Sequence, residues 1–238
     1  MTTLTAQVTP GVWVARGERD QWIPADPHPH DRTTAATLPR WRATEFLASR
    51  ALLRHLLRAV LPEQADAPVH ADGHGRPALS GHPGTGISIS HDGDAIAVAV
   101  APHRRVGVDV QQPADSAPDT LLRRCLGRHT EAVSTLPERQ RAVELAWVWT
   151  VQEACVKAAG TGLSGRPWEI DVTPGRPRGQ WDTYEWISLR ERSRTPLSCA
   201  FSAPRSPVPR GSAPRGSVPR SSAPRSSVPR GDVETLCS

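Results

Sequence analysis

The chain has 238 residues, 29 basic and 24 acidic side chains and a formal net charge of +5. Residues 202–238 hold six Arg against Asp232 and Glu234, so the first 201 residues carry 23 basic and 22 acidic groups. The positive charge is thus mostly a property of the tail, and it does not make the body a nucleic-acid binder. The longest apolar run, Ala95 to Ala101, has the length of a strand, which excludes a membrane-spanning helix of ~18 or more apolar residues. The N-terminal residues lack the charged and apolar blocks of a secretion signal. Cys125, Cys155, Cys199 and Cys237 form no C-x-x-C pair. They read as reduced thiols of a cytoplasmic protein, not as a disulfide framework or a zinc site. Lys157 is the only lysine beside 28 arginines. The arginine preference reads as coding bias, and the lysine gains interest only if its surroundings need an ammonium.

In chain order, the first strong signal is Thr44 to Leu61, where Phe46, Leu47, Leu53, Leu56, Leu57 and Val60 recur at helical spacing before Pro62. Arg50, Arg54 and Arg58 follow every four residues and predict a strongly cationic helix face. The turn-rich Asp72-Gly-His-Gly-Arg-Pro77 comes next, then strand candidates at 86–90, 94–100 and 105–111. The following 50 residues read as helical, most clearly Ala142 to Ala159, which Gly160-Thr-Gly162 terminates. Further strands are predicted around 169–172, 184–189 and 197–201. The last segment, Ser202 to Gly231, repeats SAPRSPVPRG-like decapeptides. Its Pro, Ser, Gly and Arg cannot bury enough apolar surface to offset chain entropy, so disorder is expected. The expected class is α/β (α+β), with two similar pseudo-symmetric halves, each a small sheet on a long helix. Their expected bounds are 1–103 and 104–201, followed by the 202–238 tail.

Chemistry concentrates in three places. In Arg105–Gln111, Val106, Val108 and Val110 alternate with Gly107, Asp109 and Gln111. Asp inside an apolar strand needs compensation, so Asp109 either meets solvent or meets a cation, and Gly107 beside it would leave room for a bulky ligand. Trp149, Glu153 and Lys157 share one helical stripe. If Glu153 faces Asp109, the pair makes a hard oxygen site suited to Mg²⁺, with Lys157 one turn away for a phosphate. In Ile87-Ser-Ile-Ser-His91, the serines point away from the isoleucines, and His91 at the strand end could donate to a phosphate. The chain lacks P-loop, G-x-S-x-G, H-E-x-x-H and G-x-G-x-x-G signatures. His28-Pro-His30-Asp31 is a weak metal signal in a Pro-rich loop.

Three segments in order carry a resemblance: Gly75-Arg-Pro77 with Ser88-Ile-Ser-His91, then Val106-Gly-Val-Asp109, then Trp149-Thr-Val-Gln-Glu-Ala-Cys-Val-Lys157 followed by Ala-Ala-Gly-Thr-Gly-Leu163. Together they resemble the Sfp-type 4′-phosphopantetheinyl transferases, well over residues 40–201 and loosely before. The resemblance implies transfer of phosphopantetheine from coenzyme A to a serine of an acyl or peptidyl carrier protein by a cytoplasmic, monomeric enzyme. It implies Mg²⁺ on Asp109 and Glu153, with Gln111 as a third ligand. Lys157, His91 and Ser90 would bind the pyrophosphate, and Arg42, Arg50 and Arg76 the adenosine 3′-phosphate end. Glu153, Lys157 and His91 would be catalytic, with Glu153 taking the serine proton. Two departures stand out: Gln111 replaces an acid and Gln152 a lysine of the family pattern. A Mg²⁺-dependent phosphohydrolase, or a non-catalytic relative with an Arg/Pro interaction tail, would share parts of this residue set.

Overall fold

The structure, a computed structural model, describes residues 3–73 and 75–204; the repeat tail lies outside them, apart from its first three residues. The described elements are β1 (Leu4–Thr9), β2 (Val12–Glu18), α1 (Pro29–Ala35), α2 (Arg40–Val60), β3 (Val69–Ala71), β4 (Pro77–Leu79), β5 (Thr85–Asp92), β6 (Ala95–Pro102) and β7 (Val106–Val110), then α3 (Asp119–Leu126), α4 (Thr130–Ser134), α5 (Glu138–Ala159), β8 (Arg178–Trp181), β9 (Tyr184–Ser188) and β10 (Leu197–Ser202). The chain is therefore mixed α/β. One sheet has the order β1-β2-β6-β5, the other β7-β10-β9-β8, and β3-β4 form a small hairpin. The connections repeat: strand, long helix, then a hairpin whose last strand returns beside the first, as β2-β6-β5 and as β7-β10-β9.

Strand β6 explains the layering. It is buried along Ala95 to Ala101 and its two faces differ. Ile96, Val98 and Val100 pack on Leu52, Leu53, Leu56 and Leu57 of α2. Ala95, Ala97, Ala99 and Ala101 instead meet Val106, Val108, Val110, Leu197, Cys199 and Phe201 of the other sheet. Large residues fill the gap to a helix and alanines allow a close sheet-to-sheet approach, so a period of two encodes both contacts. On the outer side of the second sheet, Val148, Val151, Cys155 and Ala158 of α5 cover Tyr184, Trp186 and Ala200. The order of layers is α2, sheet, sheet, α5.

The two sheets also meet edge to edge. Ser88 Oγ accepts the Val108 N–H at 3.0 Å and Ser90 Oγ the Val110 N–H at 3.3 Å. Side-chain hydroxyls of β5 thus satisfy main-chain donors of β7 that would otherwise be orphaned in a buried seam.

Two expectations need correction. Residues 169–172 form no strand: Pro167–Glu169 is a single 3₁₀ turn, after which Ile170 and Val172 enter the core without ladder pairing. The arginine stripe on α2 is not an open cationic face. Arg54 is only 3 % exposed and pairs with Asp31, itself 2 % exposed, at 2.6 Å. The same guanidinium donates to Ala65 O at 2.7 Å. Asp31 from the Pro-rich loop therefore serves the core, and His30 Nε2 lies 3.1 Å from Val69 O. Arg58 remains on the exposed side, 3.7 Å from Asp66. Among the described residues no helix is long and apolar enough to cross a membrane, and Cys125, Cys155 and Cys199 are free and buried.

Candidate active site

The site starts from Gly107. An ideal Cβ there would fall 2.1 Å from Ala154 O and 2.5 Å from Ala158 N. The missing side chain admits the backbone of α5, so the predicted room for a ligand is filled by the helix. That close approach sets Lys157 over β7. Its Nζ lies 2.5 Å from Asp109 Oδ1 and 3.1 Å from Ser90 Oγ, while Ser90 donates to the same Asp109 oxygen at 2.7 Å. Asp109 is 5 % exposed, which removes the solvated-face alternative. Its charge is met by an ammonium and a hydroxyl.

Burial pushes the Asp109 carboxyl above the ordinary carboxylate range; Lys157 and Ser90 oppose this and the Asp92 charge adds to it. Glu153 is half-buried on the same helix and also raised, first by burial and next by the Asp109 charge, with Lys157 opposing. Two carboxylates, one of them raised by the charge of the other, beside one ammonium leave a local excess of negative charge that a hard divalent cation would relieve. Among the described residues no cluster of three or more His, Cys, Asp or Glu is arranged as a metal cage, so any further ligand must come from other oxygens.

Gln111 is one such group. Its amide donates to Asp92 Oδ2 at 2.7 Å, and it borders a cavity of about 240 Å³ shared with Leu121, Cys125, Leu145 and Trp149. Gln152 plays no part here. It is fully buried and donates to Cys125 O at 2.8 Å and Ile170 O at 2.9 Å. Its replacement of a lysine thus ties α5 to the neighbouring segments and leaves the carboxylate pair alone.

A second cavity of about 290 Å³ holds Arg42, Arg50, His91 and Ser49. His91 Nε2 is 3.1 Å from Glu45 Oε1 of α2. Arg50 stacks over the Phe46 ring at 4.8 Å, but among the described residues its Nε and Nη1 are buried without a hydrogen-bond partner. Burial lowers its pKa to about 10, Asp31 opposing and Arg54 adding. Arg76 lies elsewhere. It is bound to Asp72 at 2.8 Å and packs where a Cβ of Gly160 would be, in a cavity that it shares with the Lys157 side chain. The structure thus brings Asp109, Ser90 and Lys157 into contact, sets Arg42, Arg50 and His91 in one cavity, and separates Arg76 from Arg50. Sequence reasoning missed Glu45 and Asp92. The only signal for Asp92 was its place directly after His91.

Residues 105–196 match the family described as the 4′-phosphopantetheinyl transferase superfamily. The chain is 35 % identical over 135 residues to the 4′-phosphopantetheinyl transferase AcpT of Salmonella typhi, covering 54 % of this chain and 63 % of that protein. It is 29 % identical over 151 residues to the 4′-phosphopantetheinyl transferase HetI of Nostoc sp., covering 60 % and 64 %. A more distant match, 27 % over 128 residues, is the L-aminoadipate-semialdehyde dehydrogenase-phosphopantetheinyl transferase of Xenopus laevis, with 46 % of this chain and 42 % of that protein aligned. In each case the alignment spans less than two thirds of the relative. The matched segment runs from β7 through β9 and carries Asp109, Glu153 and Lys157, and over it the chain is similar to the 4′-phosphopantetheinyl transferase superfamily.

Proposed function

We propose that the chain transfers 4′-phosphopantetheine from coenzyme A to a serine hydroxyl of an apo acyl or peptidyl carrier protein, releasing 3′,5′-ADP. The observation that carries this reading is the cluster of buried Asp109 and Ser90 with half-buried Lys157, which places the chain's only lysine against a strand carboxylate. The names of the relatives point the same way.

In the reaction, the serine oxygen forms a bond to the phosphorus that bears pantetheine. The bridging phosphoanhydride P–O bond breaks, and its electrons leave with 3′,5′-ADP. The serine proton passes to Glu153, directly or through water; a carboxylate with a raised pKa is the better base for this. Lys157 and His91 hold pyrophosphate oxygens, with Ser90 fixing the ammonium and Asp109 together. Arg50, whose Nε and Nη1 lack partners among the described residues, and neighbouring Arg42 receive the adenosine 3′-phosphate. Arg76 sits beside Lys157 and is better placed to face the pyrophosphate side of the groove than to share a phosphate with Arg50. Asp109, Glu153 and the Gln111 oxygen offer the donor set that Mg²⁺ favours. Bound there, Mg²⁺ would neutralise the charge that builds on the pyrophosphate as it leaves.

Incubation with coenzyme A, Mg²⁺ and a panel of apo carrier proteins, read by intact-mass spectrometry, tests the proposal. One phosphopantetheine should be added per carrier. Asp109→Ala and Glu153→Gln should abolish the gain while the melting transition persists. No mass gain on any carrier overturns the reading, and coenzyme A breakdown without a carrier would assign a phosphohydrolase instead.

A further inference from the structure

A primary amide can turn either its oxygen or its NH₂ towards a cation, and the second repels it. The structure settles this choice for Gln111 through a residue outside the site as drawn so far. Asp92 Oδ2 accepts Gln111 Nε2 at 2.7 Å and the Gln112 N–H at 2.6 Å. An ionised carboxylate only accepts, so the nitrogen must face Asp92 and the oxygen must point the other way. The same Nε2 is 3.4 Å from Gln112 O, which engages its other hydrogen. No described residue donates to Gln111 Oε1 in the hydrogen-bond network around it.

Asp92 is itself held in place. It ends β5 and pairs with Ala95 across a turn through Gly93, whose φ of +57° suits glycine. A Cβ on Gly93 would lie 2.9 Å from Gln112 Nε2, so the turn and the strand end after β7 are packed together. The negative charge of Asp92 also reaches Asp109, where it helps to raise the carboxyl.

We infer that Asp92 is a positioning residue of the divalent-cation site: it locks the Gln111 amide with its oxygen outward and adds negative charge beside Asp109. This rests on the reading of Asp109 and Glu153 as cation ligands, and it explains how a neutral side chain at position 111 serves a site with few carboxylates.

The test uses Mn²⁺ as probe and the full chain, with free Mn²⁺ read by electron paramagnetic resonance, with and without coenzyme A. The first comparison is wild type against Asp109→Asn. If wild type holds no Mn²⁺, or Asp109→Asn holds it equally well, the cation reading falls and this inference with it. Where Asp109 is required, Asp92→Asn should weaken Mn²⁺ binding about 10- to 100-fold, the range for partners that orient a ligand. Asparagine can donate as well as accept, so it lets the Gln111 amide turn.

The decisive background is Gln111→Leu. There no amide remains to orient, so Asp92→Asn should weaken Mn²⁺ binding much less than it does in the wild type. A merely structural role for Asp92 would weaken both backgrounds by the same factor. That result overturns the inference and leaves the cation reading intact. Should Asp92→Asn fail to fold, judged by its melting curve, Gln111→Leu supplies the readout. It removes the oxygen and spares Asp92, and it should weaken Mn²⁺ binding to a similar extent; unchanged affinity overturns the inference.

Discussion

Replacing Gly107 by alanine isolates what holds the site together. A glycine-to-alanine change in an open strand costs nothing sterically and reduces the entropy of the unfolded chain. Here the added carbon would sit 2.1 Å from Ala154 O and 2.5 Å from Ala158 N. Both are backbone atoms of α5 and cannot rotate away. To restore ordinary van der Waals spacing the helix must lift by roughly 1 Å or more, and overpacking of this kind costs about 1–3 kcal/mol. The lift also draws Lys157 away from Asp109, now 2.5 Å apart. A 1 Å misplacement in a catalytic arrangement is worth about 100-fold in rate. Gly107→Ala should therefore lose about 1–3 kcal/mol in urea denaturation and, assayed well below its melting temperature, about two orders of magnitude in carrier modification. Ala154→Gly should not rescue it, because the atom struck is a carbonyl oxygen. A Gly107→Ala protein with wild-type stability and wild-type transfer would refute the helix-on-strand account of the site.

Three other outcomes are expected. Asp31→Ala leaves the buried Arg54 guanidinium without its 2.6 Å partner and should destabilise the chain by about 3–5 kcal/mol in urea; a loss below 1 kcal/mol would contradict the pairing. In the proposed reaction Glu153 must be ionised to accept a proton, and its pKa is raised, so transfer should fall, as pH drops, at a higher pH than an ordinary glutamate predicts. More Mg²⁺ should move this acid limb down, because a cation favours the ionised form; a limb insensitive to Mg²⁺ would separate Glu153 from the cation. Removal of residues 205–238 should leave the melting temperature and transfer unchanged. The cut must fall after Ser202, whose N–H and Oγ bond Arg105 O and N at 3.0 and 3.1 Å.

The strand around Asp109 was legible from the period of two across Val106–Val110, and the helix carrying Glu153 and Lys157 from its run of helix-forming residues and its Gly160 stop, although burial on nearly every side leaves α5 no clean apolar stripe. The expectation of a carboxylate pair, Asp109 and Glu153, is read from them. What the sequence hid were partners distant along the chain. Arg54 read as part of a cationic stripe because Asp31, 23 residues away, gives no local sign of pairing with it. Gly107 was singled out correctly but for the wrong neighbour: a glycine announces close approach without saying whether helix or ligand approaches. Gln152 looked like a lost site residue, yet its helical position turns it into the core. Strands β1 and β2 went unpredicted, since Leu4–Thr9 mixes polar and small residues and gains its order from pairing with β2.

The serine seam has a consequence for how such a chain can change. Ser90 joins β5 to the Val110 N–H, and the same oxygen contacts Asp109 and Lys157. Architecture and chemistry thus draw on one atom. Drift that loosens the join between the two sheets also disturbs the carboxylate proposed to hold the cation, so a lineage could not shed the proposed activity at this position while keeping the fold, nor exchange one sheet for another without supplying a hydroxyl here. The apolar faces tolerate many volume-conserving exchanges; this position has far less evolutionary freedom.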